Sequence, residues 1–206
     1  MVFTIQGSND APTLVSLWRN HTLFEQGYQM SGEARSTIEL QTGDVDAGDT
    51  VSYDTTGWTQ VDATHFTKAG QFGSATLDIT ANTIDYRLDD TAQPTQSMWQ
   101  GDQWEDRFRV SVRDAAGLTS SWTEFKFPII GANDAPTLTV GAASATLVES
   151  GAAGAGVASS TVALTRADVD LIDTTSYLTT GWTAVSGSTT RFTRAGTYGT
   201  ATLDTA

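Results

Sequence analysis

The tetrapeptide Asn-Asp-Ala-Pro occurs twice in the chain, at residues 9–12 and 133–136, and each copy opens a matching stretch of sequence. The offset of 124 residues (133 minus 9) holds without a gap as far as Trp58. Two residues are then inserted, and the match resumes as Ala-Thr-Leu-Asp at 75–78 and 201–204. A period this long and regular is typical of a modular array in which each repeat is one folding unit. The repeat therefore constrains the fold more than any other feature.

The two tetrapeptides also mark the expected domain boundaries. Proline fixes φ, removes a backbone donor and pushes the preceding residue toward extended conformations, so each tetrapeptide predicts a stiff, extended joint. We expect a complete repeat over 9–132 and an incomplete second repeat over 133–206. Residues 1–8 are similar to the end of the complete repeat and are expected to be the last strand of a preceding one. An incomplete repeat leaves strand edges open, which predicts self-association through the second repeat.

Hydrophobic periodicity predicts an all-β protein. Apolar and polar residues alternate at 84–88, 108–112 and 123–129, as in half-buried antiparallel strands. Turn-forming residues separate these segments, and no segment is predicted to be a helix. Short strands at such spacing indicate Greek-key β-sandwiches of the immunoglobulin-like kind, here two in tandem.

Composition excludes several classes of function. The chain has 24 acidic and 11 basic residues and a net charge of −13, so nucleic acid is not an expected partner. The absence of cysteine excludes disulfides, thiolate catalysis and cysteine-type zinc sites. No apolar run is long enough to cross a bilayer, so membrane insertion is not expected. The two histidines, His21 and His65, lie in no recognisable catalytic setting, so the sequence predicts a protein that is not an enzyme.

An acidic turn is the strongest candidate for a binding site. Asp44, Asp46 and Asp49 surround Gly48, which permits a tight backbone path, and alternate carboxylates in such a turn can converge on one point. Ca²⁺ takes six to eight oxygen ligands in a flexible arrangement, which turns of this kind provide. The second copy keeps all three aspartates but replaces the glycine with Ile172. We favour a calcium site; the alternative is a solvated loop, where Asp and Gly are common.

Four motifs together resemble a known family. They are Asn-Asp-Ala-Pro, a Glu-x-Gly about sixteen residues later, Asp-Val-Asp-Ala-Gly-Asp-Thr, and a terminal Val-x-Val-x-Asp-x-x-Gly. In combination they resemble the VCBS-type and cadherin-like repeats of large secreted bacterial adhesins, often of the RTX class. The resemblance covers essentially the whole chain. It implies cadherin-like sandwiches with Ca²⁺ at the joints between consecutive domains, and a location outside the cell or on the bacterial surface.

The resemblance also implies which residues bind the metal. A joint of this kind takes acidic groups from the first domain, oxygens from the linker and an Asp-x-Asp pair from the next domain. Here these are Glu25, Asp102 or Asp106, and Asp114, then Asn133 and Asp134, then Asp168 and Asp170. A second, weaker site is expected at the first tetrapeptide, from Asn9, Asp10, Asp44, Asp46 and Asp49.

The expected function is mechanical. The chain is interpreted as an extender module that calcium stiffens, so that adjacent repeats project a ligand-binding region from the cell. Two alternatives remain open. One is a split sugar- or peptide-binding domain of the adhesin, for which Trp18 and Trp122 are the best aromatic candidates. The other is an accessory module of a secreted polysaccharide-active enzyme.

Overall fold

The structure, a computed structural model, describes residues 1–17, 22–152 and 154–206. This part of the chain is nearly all β, with 42% of residues in strands and 2% in helix, which confirms the all-β prediction. The chain divides into two compact units, Met1–Ala135 and Pro136–Ala206. No described helix is long and apolar enough to span a membrane.

The first unit is a sandwich of two sheets. Its strands, in chain order, are β1 (Thr13–Leu17), β2 (Leu23–Phe24), β3 (Arg35–Gly43), β4 (Ser52–Asp54), β5 (Thr59–Gln60), β6 (His65–Ala69), β7 (Gly73–Asp78), β8 (Thr83–Leu88), β9 (Gln103–Arg113) and β10 (Thr123–Ile130). One sheet has the order β1-β3-β8-β7-β6-β5 and the other β2-β10-β9-β4. Neighbouring strands are antiparallel, except that β2 pairs parallel with β10. The two sheets pack their apolar faces against each other.

Alternation along the strands builds this core. On β9, Phe108, Val110 and Val112 are buried while the arginines between them and beyond them face solvent. Tyr86 of β8 stacks on Phe127 of β10 with ring centroids 4.7 Å apart. Burial of large aromatic and aliphatic groups is the main stabilising contribution in such a sandwich.

The described residues include one short helix, α1 (Gln93–Gln96), where the sequence predicts none. It is a single turn with a proline in its first positions. Proline is tolerated there because the first N–H groups of a helix have no partner within the helix. Four residues are too few to show a helical period of apolar side chains, so the pattern carries no signal for this turn.

The second unit contains β11 (Thr137–Val140), β12 (Leu164–Ala167), β13 (Thr183–Ala184), β14 (Arg191–Ala195) and β15 (Thr200–Asp204). β11 pairs with β12, and β13, β14 and β15 form a second sheet. The β11–β12 register, Thr137 opposite Ala167, repeats the β1–β3 register, Thr13 opposite Gly43, at the offset of 124. Corresponding positions of the two units therefore have the same local pairing.

Residues 1–12 form no strand, and Val2, Phe3 and Ile5 are exposed. A strand requires a partner to satisfy its backbone groups, and the first unit provides none for this segment. Its assignment to a preceding repeat stays a prediction.

Strand β9 defines the two ends of the first unit. Its eleven residues span ~35 Å at ~3.3 Å per residue. Asn9 hydrogen-bonds Asp114, which follows β9, whereas the backbone N–H of Gly131 donates to the carbonyl of Asp102, which precedes it. The chain therefore enters the first unit at one end and leaves it at the other.

Candidate metal centres

The first acidic cluster lies at the end of the first unit where the chain enters. Asp44 and Asp49 belong to the connection between β3 and β4, and Asp114 follows β9. Because β4 pairs with β9, with Ser52 opposite Arg113, the two segments meet. One carboxylate oxygen from each of the three aspartates lies within 4.8 Å of the other two. Three oxygens this close can hold a metal ion.

The turn itself arranges these carboxylates. The Oδ1 atom of Asp44 accepts the N–H of Asp46 at 2.9 Å, and the N–H of Asp49 donates to the carbonyl of Asp46 at 3.1 Å. Gly48 has φ of 87°, a left-handed conformation that glycine adopts without strain. The Oδ2 atom of Asp44 is buried and has no hydrogen-bond partner among the described residues. A buried anionic oxygen without a donor fits a bound cation.

Asp114 is the most deeply placed member of this cluster, with 4% of its surface exposed. Burial raises its pKa, but hydrogen bonds from Asn9 and from the backbone N–H groups of Leu118, Gly117 and Ala116 lower it, and the net shift is downward. The side-chain amide of Asn9 donates to Oδ2 at 2.7 Å, and the N–H of Leu118 donates to Oδ1 at 2.8 Å. Asp114 is therefore held as an anion at neutral pH.

The linker that enters the unit is attached to the same end. Besides the contact of Asn9 with Asp114, the N–H of Asp10 donates to Oδ2 of Asp46 at 2.7 Å. Asp46 thus binds the linker and is not one of the three converging carboxylates. The structure brings together all five residues that the sequence assigned to this end. Asp44 and Asp49 belong to the acidic cluster, and Asn9, Asp10 and Asp46 form the contacts with the linker.

The second acidic cluster lies in the second unit and comes from one turn. Oxygens of Asp168, Asp170 and Asp173 lie within 4.8 Å of one another. The Oδ1 atom of Asp168 accepts the N–H of Asp170 at 3.1 Å, and the N–H of Asp173 donates to the carbonyl of Asp170 at 3.2 Å. The hydrogen bonds of the first turn recur here, although Ile172 replaces glycine. This cluster, too, can hold a metal ion.

The opposite end of the first unit holds Glu25, Asp102, Asn133 and Asp134. Glu25 is fully buried, and its Oε2 atom accepts the N–H of Ala132 at 3.1 Å. The carbonyl of Asn133 accepts the N–H of Tyr28 at 2.6 Å. Asp102 accepts the indole N–H of Trp104 at 2.8 Å. These residues gather at the end where the linker leaves.

One acidic residue at this end was missed. Asp90 lines a cleft together with Asp134, Tyr28 and Gln96, and its Oδ1 atom accepts the N–H of Gln26 at 3.3 Å. The sequence signal was the pair of aspartates that directly follows strand β8. Side chains in this position lie at the end of the sheet.

Two assignments to this end need correction. Asp114 lies at the other end, because the length of β9 separates it from Asp102. Asp106 lies in the core with 5% exposure, where it accepts the hydroxyl of Tyr86 at 2.7 Å and the N–H groups of Gln71 at 2.8 Å and Phe72 at 3.1 Å. Burial raises the pKa of Tyr86. Asp106 therefore braces the turn before β7 from inside the sandwich.

The described tryptophans differ in exposure. Trp58 is buried with 9% exposure, as its repeated position predicts. Trp122 is 55% exposed and Trp104 is 49% exposed. The ring of Trp104 rests against Phe72, with centroids 5.8 Å apart. Trp18 and His21 lie outside the described residues.

No protein-family model matches this chain, and no curated protein matches it significantly. The interpretation of its sites therefore depends on the geometry described above.

Proposed function

We propose that this protein is a calcium-stiffened extender module of a bacterial surface adhesin, acting beside adjacent repeats of the same chain. The observation that carries the proposal is the connection between the first acidic cluster and the linker. Asp44, Asp49 and Asp114 can hold a cation, and Asn9, which precedes the first strand, donates to one of them. An ion at this cluster would fix the linker as well as the turn.

The donor set favours calcium over other metals. All three groups that converge in each cluster are carboxylates, and no histidine among the described residues belongs to either cluster. Hard oxygen ligands on flexible turns suit Ca²⁺, whereas Mg²⁺ demands a tighter octahedron and zinc prefers nitrogen or sulfur. Asp44, Asp49 and Asp114 would hold the ion in the first unit, and Asp168, Asp170 and Asp173 in the second. Calcium would neutralise the carboxylates that otherwise repel one another.

The mechanical step follows from the same contacts. Without a cation, three carboxylates within 4.8 Å repel one another and loosen the connection between the β3–β4 turn and the loop after β9. Neutralising them lets Asp114 stay in place and accept from Asn9, while Asp46 accepts from Asp10. Because this cluster lies at the end where the chain enters the first unit, an ion there would stiffen the linker that precedes that unit.

Thermal unfolding in EDTA and in millimolar CaCl₂ tests the proposal. Extracellular calcium modules have dissociation constants of ~10⁻⁴–10⁻³ M. Free calcium at ten times the dissociation constant should therefore raise Tm by about 3–6 °C. The double variant Asp44→Asn/Asp49→Asn should lose much of the rise. Glu33→Gln/Glu39→Gln removes two exposed charges elsewhere and is the matched control. Equal responses of the two double variants would overturn the site.

Hydrogen exchange distinguishes stiffening from simple stabilisation. Calcium should slow exchange of the Asp10 amide, which donates to Asp46, and the Asp44→Asn/Asp49→Asn variant should abolish that protection. Calcium binding without added protection at Asp10 would leave a metal site but contradict the extender role.

A ligand-binding role, as a split sugar- or peptide-binding domain or an accessory module of a polysaccharide-active enzyme, is the second candidate. It is favoured by the exposed indoles of Trp104 and Trp122. Quenching of tryptophan fluorescence by an oligosaccharide, lost in Trp122→Ala or Trp104→Ala, would support it.

Self-association is also part of the proposal. Leu138, Val140 and Leu178 of the second unit are more than half exposed, and such apolar groups favour contact with another chain. Light scattering over a range of concentrations should show dimers or larger species; a monomer throughout would exclude it.

A further inference from the structure

A histidine in the first unit lies between two carboxylates. His65 begins β6, Asp62 lies in the turn before it, and Asp78 ends β7 directly opposite His65. Its Nδ1 atom is 2.9 Å from both carboxylate oxygens of Asp62, and its Nε2 atom is 3.3 Å from Oδ2 of Asp78. We infer that these three residues form a pH-dependent clamp, closed by the imidazolium and opened when His65 loses its proton.

Both carboxylates are fixed by the backbone before the imidazole contacts them. The Oδ1 atom of Asp62 accepts the N–H groups of Thr64 and His65, each at 2.8 Å. The Oδ1 atom of Asp78 accepts those of Thr80 at 2.8 Å and Ala81 at 2.9 Å. Such turns hold each carboxylate at its own loop. The backbone N–H of Ile79 donates to the carbonyl of Thr64 at 3.0 Å, and the imidazole adds a side-chain link between the same two loops.

Proton counting shows which form of His65 fits this geometry. An ionised carboxylate only accepts hydrogen bonds, so a ring nitrogen facing each carboxylate must carry a proton. Hydrogen bonds from the backbone of Thr64, from the His65 side chain and from the His65 backbone lower the pKa of Asp62 to about 2, so it is ionised. Neutral imidazole has one N–H and the imidazolium has two. Only the imidazolium donates to both carboxylates.

Few other charges face this histidine. The hydroxyl of Thr64 lies 3.1 Å from Nδ1 and can donate or accept. From β7 the only charged neighbour in register is Asp78, and β5 contributes only Thr59 and Gln60. Asp78 pairs in turn with Thr83 of β8, and Thr83 pairs with Glu39 of β3, which is another acidic residue. The charged groups named around His65 in the described part of the chain are therefore all acidic.

The second unit has a permanently charged residue at the position of His65. Arg191 stands where His65 stands, opposite Asp204 in the same register, with its Nε atom 3.8 Å from Oδ2. Ser188 takes the place of Asp62, and its hydroxyl oxygen accepts the N–H groups of Thr190 at 3.3 Å and Arg191 at 3.1 Å. Arginine remains charged at every physiological pH. The second unit thus pairs a permanent cation with one carboxylate, whereas the first unit places a titratable cation between two.

The sign of the effect follows from linkage. The side-chain hydrogen bond with Asp62 is the largest cause that raises the pKa of His65 above its ordinary value. A group whose folded pKa is raised adds stability below its unfolded pKa of ~6.5, and that stability is lost as pH rises through the folded pKa. The clamp therefore stabilises the fold on the acid side of the folded pKa and opens on its alkaline side.

NMR titration of the His65 ring between pH 5 and 9, in EDTA, is the first test. His21→Gln identifies the signal of the other histidine. Asp62→Ser, which copies the second unit, and Asp78→Asn should each lower the pKa of His65 measurably. A pKa that neither change moves would overturn the clamp.

Thermal unfolding provides the second test. Exposed ion pairs contribute little, so wild-type Tm should fall by only about 1–3 °C more than that of His65→Arg between pH 6 and pH 8. His65→Gln should have the lower Tm at pH 6 and match the wild type near pH 8. Equal pH dependence in the wild type and His65→Arg would refute the inference, even if all variants fold.

Discussion

The two acidic turns have the same three aspartates but use them differently. In the first unit, Asp46 is not one of the converging groups and accepts a hydrogen bond from the linker, and Asp114 from a distant loop supplies the third carboxylate. In the second unit, Asp170, the counterpart of Asp46, is itself one of the converging groups. The short motif fixes the turn, whereas the rest of the fold decides which oxygens meet.

This difference has a structural cause. The first turn lies beside the end of β9, through the pairing of β4 with β9, and that strand carries Asp114 into the cluster. The described part of the second unit contains no strand in an equivalent position, so its turn closes with its own residues. A site shared between two loops can transmit binding to a linker, while a site within one turn mainly rigidifies that turn.

The largest expected effect is that of Asp114→Ala. It removes a buried carboxylate from the first cluster together with the acceptor for Asn9 and Leu118. Calcium affinity of the first turn should fall about tenfold or more, since affinity depends on the number of charged ligands. The amide of Gly48 reports the first turn by NMR and that of Ile172 the second. A loss of calcium affinity at both turns would mean that the two sites are not independent.

Exchanging the middle aspartate tests the different roles directly. Asp170→Asn should weaken calcium binding at the second turn about tenfold, because it removes one of three converging carboxylates. Asp46→Asn should leave binding at the first turn within a few-fold, while the exchange of the Asp10 amide accelerates. Calcium titrations followed at the same two amides measure both. Equal losses in the two variants would show that Asp46 is a ligand after all.

The residue before the third aspartate, Gly48 in the first turn and Ile172 in the second, predicts a smaller difference between the turns, in stability alone. Gly48 has φ of 87°, and a Cβ atom there would meet nothing within 4 Å. Gly48→Ala should therefore cost about 1 kcal/mol from backbone conformation only, lowering Tm by ~3 °C. Ile172→Ala is the matched change, at an exposed residue whose φ is not positive, and should alter Tm by less than ~1 °C. Melting in EDTA separates this effect from metal binding.

Local patterns predicted the strands and the acidic turns well, but not which carboxylates converge. Alternation indicated strands at 84–88, 108–112 and 123–129, which lie in β8, β9 and β10, and Asp44 and Asp49 are close in sequence. Asp106 shares the inward side of β9 with Phe108, so period-two alternation predicts that it is buried. Alternation does not predict its hydrogen-bond donors, which are Tyr86 and the turn at 71–72. Asp114 meets Asp44 across 70 positions (114 minus 44), a pairing that only the sheet order determines.

The smallest expected effect is the acid dependence of the first cluster without calcium. The pKa of Asp114 lies below its ordinary value, despite burial, because Asn9 and backbone N–H groups donate to it. A lowered folded pKa adds stability above the unfolded value of ~3.9 and loses it as pH falls through the folded pKa. Unfolding by urea between pH 6 and pH 3 should therefore show a steeper loss of stability in the wild type than in Asp114→Asn. Asn9→Ala should fall between them, because the first side-chain donor is gone while the backbone donors remain. If Asn9→Ala instead matches the wild type, the linker contact does not hold the carboxylate, and the coupling between linker and acidic turn fails with it.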